Sequence, residues 1–291
     1  MKRIILAHIA VLLCITLFAQ TDTTKQSTAD TIRIGGMVII KRANGNEGKK
    51  QTTITIGNRR RQRSSNISTA HWIIDFGFAN YTDKTDYASA ALQNYIVNKP
   101  GSSLGKNDFK LKTGKSSNIN LWFFMQRINL IKQYVNLKYG LGVELNNYRF
   151  KTPLSFNEGG PNPYNPSQNI PHSFVFKDSI SFSKNKLAID YVTVPLMLNF
   201  CTNPDYSKKG LSISAGISMG YLYSARNKQI SNERGKDKTH GDFDVKKWKF
   251  SYIGELGLGP TRLYGSYTPK SLFENGLNLM PYTVGVRISN W

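Results

Sequence analysis

The chain has 291 residues, 40% of them hydrophobic, with 39 Lys and Arg against 18 Asp and Glu, a formal net charge of +21. Its two cysteines, Cys14 and Cys201, exclude a disulfide-rich scaffold and a cysteine-based metal site. Beyond the N-terminus no apolar run is long enough for a transmembrane helix, so a mature chain that crosses a membrane does so as a closed β-barrel, the other architecture that satisfies every backbone polar group in lipid.

Lys2 and Arg3, the apolar run Ile4 to Phe18 and the Leu17-Phe18-Ala19 sequence before Gln20 have the anatomy of a secretory signal peptide, residues 1–19. Cys14 does not read as a lipid-attachment site, because it lies within the apolar run after Leu12-Leu13 rather than after a small residue. Once the signal is removed Cys201 stands alone and no intrachain disulfide can form. On an exported chain the surplus of cations points to anionic lipid surfaces. No motif accompanies it that would point to nucleic acid.

Residues 20–69 form a polar, basic segment. Thr31 to Lys41 and Gln51 to Gly57 read as two short strands around an Asn44-Gly45 turn, followed by Arg59, Arg60, Arg61 and Arg63. Ile39-Ile40 and the crowded cations break in/out alternation. The segment is therefore expected to be a periplasmic hairpin rather than two extra barrel strands.

Residues 70–291 carry eight stretches with period-two alternation, the pattern of an all-β, eight-stranded antiparallel transmembrane β-barrel. The first is Trp72 to Tyr81, with Trp72, Ile74, Phe76 and Phe78 outward and Asp75, Gly77 and Ala79 inward. The second is Asn118 to Arg127, with Ile119, Leu121, Phe123 and Met125 outward. In the third, Tyr134 to Tyr148, the residues Val135 to Leu145 at odd positions alternate with Asn136, Lys138, Gly140, Gly142, Glu144 and Asn146. The fourth is Leu187 to Phe200, where Pro195 is expected to force a bulge or register shift. The fifth is Leu211 to Ser224, with Ser214, Gly216, Ser218 and Gly220 inward. Trp248 to Leu258, a weak Arg262 to Thr268 and Tyr282 to Ile288 complete the set, and Trp291 is out of phase with Ile288.

The connections after the first, third and fifth strands are long, and those after the second, fourth and sixth are short, the tightest being Gly259-Pro260. Long loops face outward and short turns face the periplasm in bacterial barrels, so both termini are expected in the periplasm. Trp72, Tyr81, Tyr134, Tyr148, Tyr221, Tyr223, Trp248, Tyr252 and Tyr282 lie near strand ends, where amphipathic rings suit the headgroup level.

Charges of both signs fall in the inward rows: Asp75, Lys138, Glu144, Asp190, Arg226, Glu255 and Arg287, beside Ser218. An eight-stranded barrel is only wide enough to be filled by side chains or to hold one small ligand. Paired charges would plug it, and a narrow ion path is the alternative. Gly216-Ile217-Ser218-Met219-Gly220 matches a nucleophile-elbow pattern, but it continues a strand where that motif needs a strand-to-helix turn. Gly114-Lys115-Ser116 resembles the end of a phosphate-binding loop whose first glycine would be Phe109, so the match fails. His71, His172 and His240 lack metal-ligand spacing, and the pattern calls for no cofactor. In the loop that holds Lys228, Arg234, Lys236, Lys238, Lys246 and Lys247, cations outnumber the acids Glu233, Asp237, Asp242 and Asp244. That loop reads either as a solvated surface or as a contact for lipopolysaccharide.

Three stretches carry a family resemblance: Asp75-Phe76-Gly77-Phe78, Tyr139 to Phe150 (YGLGVELNNYRF) and Leu187 to Leu198 (LAIDYVTVPLML) with its internal proline. They resemble the PorT-like outer-membrane β-barrel proteins of Bacteroidetes-type bacteria. The resemblance runs from about His71 to the end and implies an outer-membrane barrel in a Gram-negative envelope. Its namesake acts in secretion across the outer membrane, but no residue here carries that role over. The expected function is a structural or interaction role without enzymatic activity. Outer-membrane lipids and envelope proteins are the expected partners, within a secretion or envelope assembly. A lipid-modifying enzyme and a narrow passive channel are the alternatives.

Overall fold

The computed structural model describes residues 29–34, 37–42, 51–56, 66–202, 210–258 and 261–289. The signal segment, the Asn44-Gly45 turn, the Arg59 to Arg63 cluster, Gly259-Pro260 and Trp291 lie outside them. The chain divides into two units, 1–64 and 65–291. In the first, β1 (Ala29–Ile34), β2 (Met37–Arg42) and β3 (Gln51–Ile56) make an antiparallel three-stranded sheet. The single strand expected over Thr31 to Lys41 is therefore two. Ile34 pairs with Met37, leaving only Gly35-Gly36 between the strands, and Gly-Gly is a two-residue hairpin signal.

The second unit contains β4 (Ile67–Asp83), α1 (Ala90–Tyr95), β5 (Ile96–Val97), β6 (Ser117–Ile131), β7 (Val135–Arg149), β8 (Leu154–Asn157), β9 (Gly160–Asn162), β10 (Asn165–Ile170), β11 (Phe174–Lys177), β12 (Lys184–Cys201), β13 (Leu211–Ser231), β14 (Gly235–His240), β15 (Trp248–Leu258), β16 (Thr261–Tyr267) and β17 (Leu279–Ile288). Eight of these strands close a ring in the order β12-β7-β6-β4-β17-β16-β15-β13, and β13 pairs back to β12. Every neighbouring pair is antiparallel. Closure matters because lipid offers no hydrogen bonds to a free strand edge.

The alternation turns one side chain in two outward. Val284 is 60% exposed and Ile217 55%, whereas their neighbours Thr283 and Ser218 are 4% and 5% exposed. On β12 the outward row Val192, Val194, Leu196, Leu198 and Phe200 is wholly apolar, and the inward row includes Thr193, Met197 and Asn199. Eight intervals of about 3.3 Å, tilted by ~40°, give about 20 Å of apolar height, close to the band of a bacterial barrel. No helix among the described residues is long and apolar enough to cross a membrane.

Several expectations need correction. Met125 points inward and is 1% exposed, because β6 shifts register against β7 between Trp122 and Phe124. The extra residue, Phe123, flips the alternation after it. On β4, Ala70 and Ile73 are both buried across Trp72, whose φ is +56°, so the alternation flips there too. The two outward aromatics meet edge to face, with centroids 6.1 Å apart. Pro195 causes no register shift: Thr193 opposes Gly142 and Leu196 opposes Tyr139 in one unbroken frame, and only the intervening ladder pairs are missing. The shift on β12 falls instead between Asp190 and Tyr191 against β13, where Tyr223 is the extra residue. Tyr81 and Tyr148 are not part of an interfacial girdle. They turn inward, with centroids 5.9 Å apart, and pack into the core described below.

The long loops fold into a cap with an apolar core. Leu92 and Tyr95 of α1, Phe109, Phe150, Leu154, Phe156, Val175, Phe243, Leu272 and Phe273 are buried together. Phe156 sits at its centre, stacked on Phe273 and packed against Phe150 and Phe243. The core continues down into the barrel mouth through Tyr148, Leu187, Ile189, Tyr191 and Leu222. β5, β11 and β8 form a small sheet within the cap.

Candidate functional site

Below the cap, inward positions on β4, β7, β15, β16 and β17 bring charges into one network. Glu255 is the hub. Its Oε1 accepts from Lys138 Nζ at 2.9 Å and from an Arg262 guanidinium nitrogen at 2.9 Å, and its Oε2 accepts from Arg287 at 2.8 Å. Lys138 reaches Glu255 from β7, on the far side of the lumen. Arg287 turns its other edge to Asp75, with Nε 2.7 Å from Oδ1 and a terminal nitrogen 2.8 Å from Oδ2. This forked geometry is the strong form of an arginine–carboxylate pair. Trp122 Nε1 and Asn120 also donate to Asp75, at 2.8 and 3.1 Å. The Trp122 ring lies under the Arg287 guanidinium, 5.5 Å from centroid to Cζ.

A second layer lies toward the cap. Lys249 Nζ is 2.5 Å from Glu144 Oε1 and 4.7 Å from the centroid of the Tyr191 ring. Asn146 donates to Glu144 at 3.1 Å, and Asn118 links Asn146 to Asn120. The Tyr264 hydroxyl donates to Asn118 at 2.5 Å. Gly77 and Gly285 make room for that ring, since a Cβ on Gly285 would meet Tyr264 Cε1 at 2.7 Å.

Four cations and three carboxylates therefore share the lumen, with side chains at most 9% exposed. Buried charges are tolerated when paired and hydrogen-bonded, and these are. The remaining cavity beside Asn120, Trp122, Ser218, Glu255 and Arg287 is about 30 Å³. That is room for about one water molecule. A hydrated ion has no open route through this layer.

Of the residues the sequence placed in the lumen, Asp75, Lys138, Glu144, Glu255 and Arg287 do face it. Asp190 and Arg226 do not. They belong to the outward rows of β12 and β13, in phase with Val192 and Val194 on β12, and pair with each other at 2.6 Å on the outer wall. Here the strands have run past the apolar band, so outward positions no longer meet lipid. Lys249 and Arg262 were missed. Lys249 is readable from strict alternation with Trp248 and Phe250, whereas Arg262 begins a short strand with little periodic signal.

Ser218 faces the lumen, and His71, His172 and His240 are exposed. Among the described residues no hydrogen bond joins a histidine to a serine hydroxyl; His172 Nδ1 meets the Ser173 carbonyl at 3.1 Å. No group of three or more His, Cys, Asp or Glu side chains that could hold a metal occurs among the described residues.

The cap is held as tightly as the lumen. Asp178 accepts from Arg234 at 2.7 Å and from Ser155 at 3.2 Å. Tyr95 donates to the Phe243 carbonyl at 2.9 Å. Burial, with Asp244 and Glu158 nearby, pushes its phenol well above the usual range, so it stays a neutral donor. A cavity of about 650 Å³ opens on the cap, lined by Lys99, Tyr164, Phe176, Lys177, Asp178 and Arg234 among others.

A family model described as outer membrane protein beta-barrel domain matches residues 69–275. Among solved structures the chain is similar to Ail, the attachment invasion locus protein of Yersinia pestis, crystallised with the heparin analogue sucrose octasulfate. The identity is 12%, the alignment covers 76% of this chain and 98% of that one, and the TM-score is 0.28. No curated protein matches the chain.

Proposed function

The chain belongs to the outer membrane protein beta-barrel domain family, and on that premise we propose that it is a shut, non-enzymatic barrel that holds a rigid cap at the cell surface for interaction with other envelope components. The observation that carries this reading is the grip of Glu255 on Lys138, Arg262 and Arg287 across the lumen, beneath an apolar cap core. A passive channel would need to break that layer. A hydrolase would need a base near Ser218, and the mature histidines lie elsewhere. The cavity beside Tyr164 and Phe176 is the docking surface for a partner, since it combines aromatic faces with cations and amides. The three stretches similar to PorT-like proteins support a place in a secretion or envelope assembly, with outer-membrane lipids around the wall.

Planar-bilayer recording tests this reading. Purified protein is expected to give no stepwise conductance, and reproducible openings of the unmodified chain would refute the shut lumen. Hydrolase activity that disappears in Ser218→Ala would refute the non-enzymatic part. Affinity capture of the intact protein from membranes should return envelope proteins, and capture should weaken when the Tyr164 cavity is altered.

A further inference from the structure

The outer wall carries a row of like charges that neither lumen nor cap explains. Lys186 on β12 lies directly opposite Arg149 of β7 on one side and Lys228 of β13 on the other. Lys228 in turn lies opposite Lys238 of β14. Four cations on four adjacent strands thus form one line across the sheet. Directly opposed side chains in a ladder sit ~5 Å apart, and like charges at that spacing destabilise the pairing. The next row outward adds Lys184 and Lys236, both set against Ile230. The row below holds Arg226, and Asp190 beside it is already bound to that arginine. Arg149 donates to the Ser183 carbonyl at 2.8 Å and Lys186 to the Asn147 side-chain oxygen, so neither bond neutralises a charge. Lysine on an edge strand blunts edge-to-edge pairing, which accounts for Lys236 and Lys238 on β14. It does not account for Lys186, which has a strand on each side.

We propose that the line Arg149–Lys186–Lys228–Lys238 binds the phosphorylated sugar headgroup of lipopolysaccharide in the outer leaflet. The inference rests on the outer-membrane placement and is independent of whether the lumen is shut. The same faces of β12 and β13 carry the apolar band below, which ends at Val192 and its partner Tyr221. Lys186 lies six residues beyond Val192, about 15 Å higher on strands that rise ~3.3 Å per residue at a ~40° tilt. A phospholipid headgroup layer is only ~5–8 Å deep. An anionic headgroup that reaches this row must stand taller than a phospholipid, as a phosphorylated oligosaccharide does.

The test uses the full chain, folded in micelles, and three probes: lipopolysaccharide with its phosphates, the same lipid after dephosphorylation, and inorganic phosphate. Removing one cation should weaken binding of the phosphorylated lipid about fivefold, so Lys186→Gln/Lys228→Gln should bind ~25-fold more weakly. The control Lys84→Gln/Lys110→Gln, in the cap, should bind like the parent. Without lipid the row variant should melt no lower than the parent, because like-charge repulsion has been relieved. If the double variant does not fold, Lys228→Gln alone should show the fivefold loss. The proposal is overturned if the row variant binds within twofold of the parent, if the control loses as much, if the dephosphorylated lipid binds equally well, or if inorganic phosphate alone binds as tightly as the lipid.

Discussion

Glu255→Gln is the sharpest perturbation of the lumen. The Glu255 carboxylate is 2% exposed and accepts from three cations, two on Oε1 and one on Oε2. Glutamine keeps the shape but has one acceptor oxygen and one NH2 group. Whichever way the amide turns, at least one cation faces a donor, and the lumen shifts from four cations against three carboxylates to four against two. Removing one partner of a buried pair costs about 3–5 kcal/mol, and the threefold contact puts this case near ~4 kcal/mol. Urea unfolding from phosphatidylcholine vesicles, followed by tryptophan fluorescence, measures the loss. Adding Lys138→Met should recover part of it, since the two changes meet in one network. A loss below about 1 kcal/mol, with no recovery in the double variant, would refute the hub role argued from the pairing energetics.

Other expectations follow from the wall and the cap. Val284→Arg places a charge on the outward row of β17 and should destabilise the vesicle-embedded protein by about 2–4 kcal/mol if that row meets hydrocarbon, measured by the same titration. Phe156→Ala empties the centre of the cap core and should cost about 3–5 kcal/mol, visible as new tryptic cleavage between β4 and β6 and between β7 and β12 while the ring strands stay protected. Trp122→Phe removes the indole donor to Asp75 and should cost about 1.5–3 kcal/mol, because the lost hydrogen bond ends on a charged group.

The ring was legible because lipid on one side and a packed lumen on the other impose a strict period of two. β7 spans Val135–Arg149 against an expected Tyr134 to Tyr148, and β15 has the expected bounds. The signal failed where local geometry breaks the period. Phe123 and Phe124 are adjacent aromatics, and nothing in their chemistry says which one bulges, so Met125 reads outward when it is inward. It also failed where the solvent changes along one strand. Charge on Asp190 and Arg226 suggests the lumen only while the outside is lipid; above the band the outside is water. The fifth strand was ended at Ser224 for the same reason, although β13 continues to Ser231 as a wall above the membrane. The cap core was hidden because Phe150, Phe156, Phe243 and Phe273 are scattered among Asn, Lys, Gly and Ser, and only tertiary packing brings them together.

Methyl-labelled protein in lipid, examined for magnetisation transfer from acyl-chain protons, tests the central claim most directly. Val194, Leu196, Ile217 and Val284 should show cross-peaks to lipid methylenes, while Ile73, Met125 and Met197 should show none. Transfer to the second group, or its absence from the first, would contradict a closed cylinder with an apolar outside and a charge-filled interior.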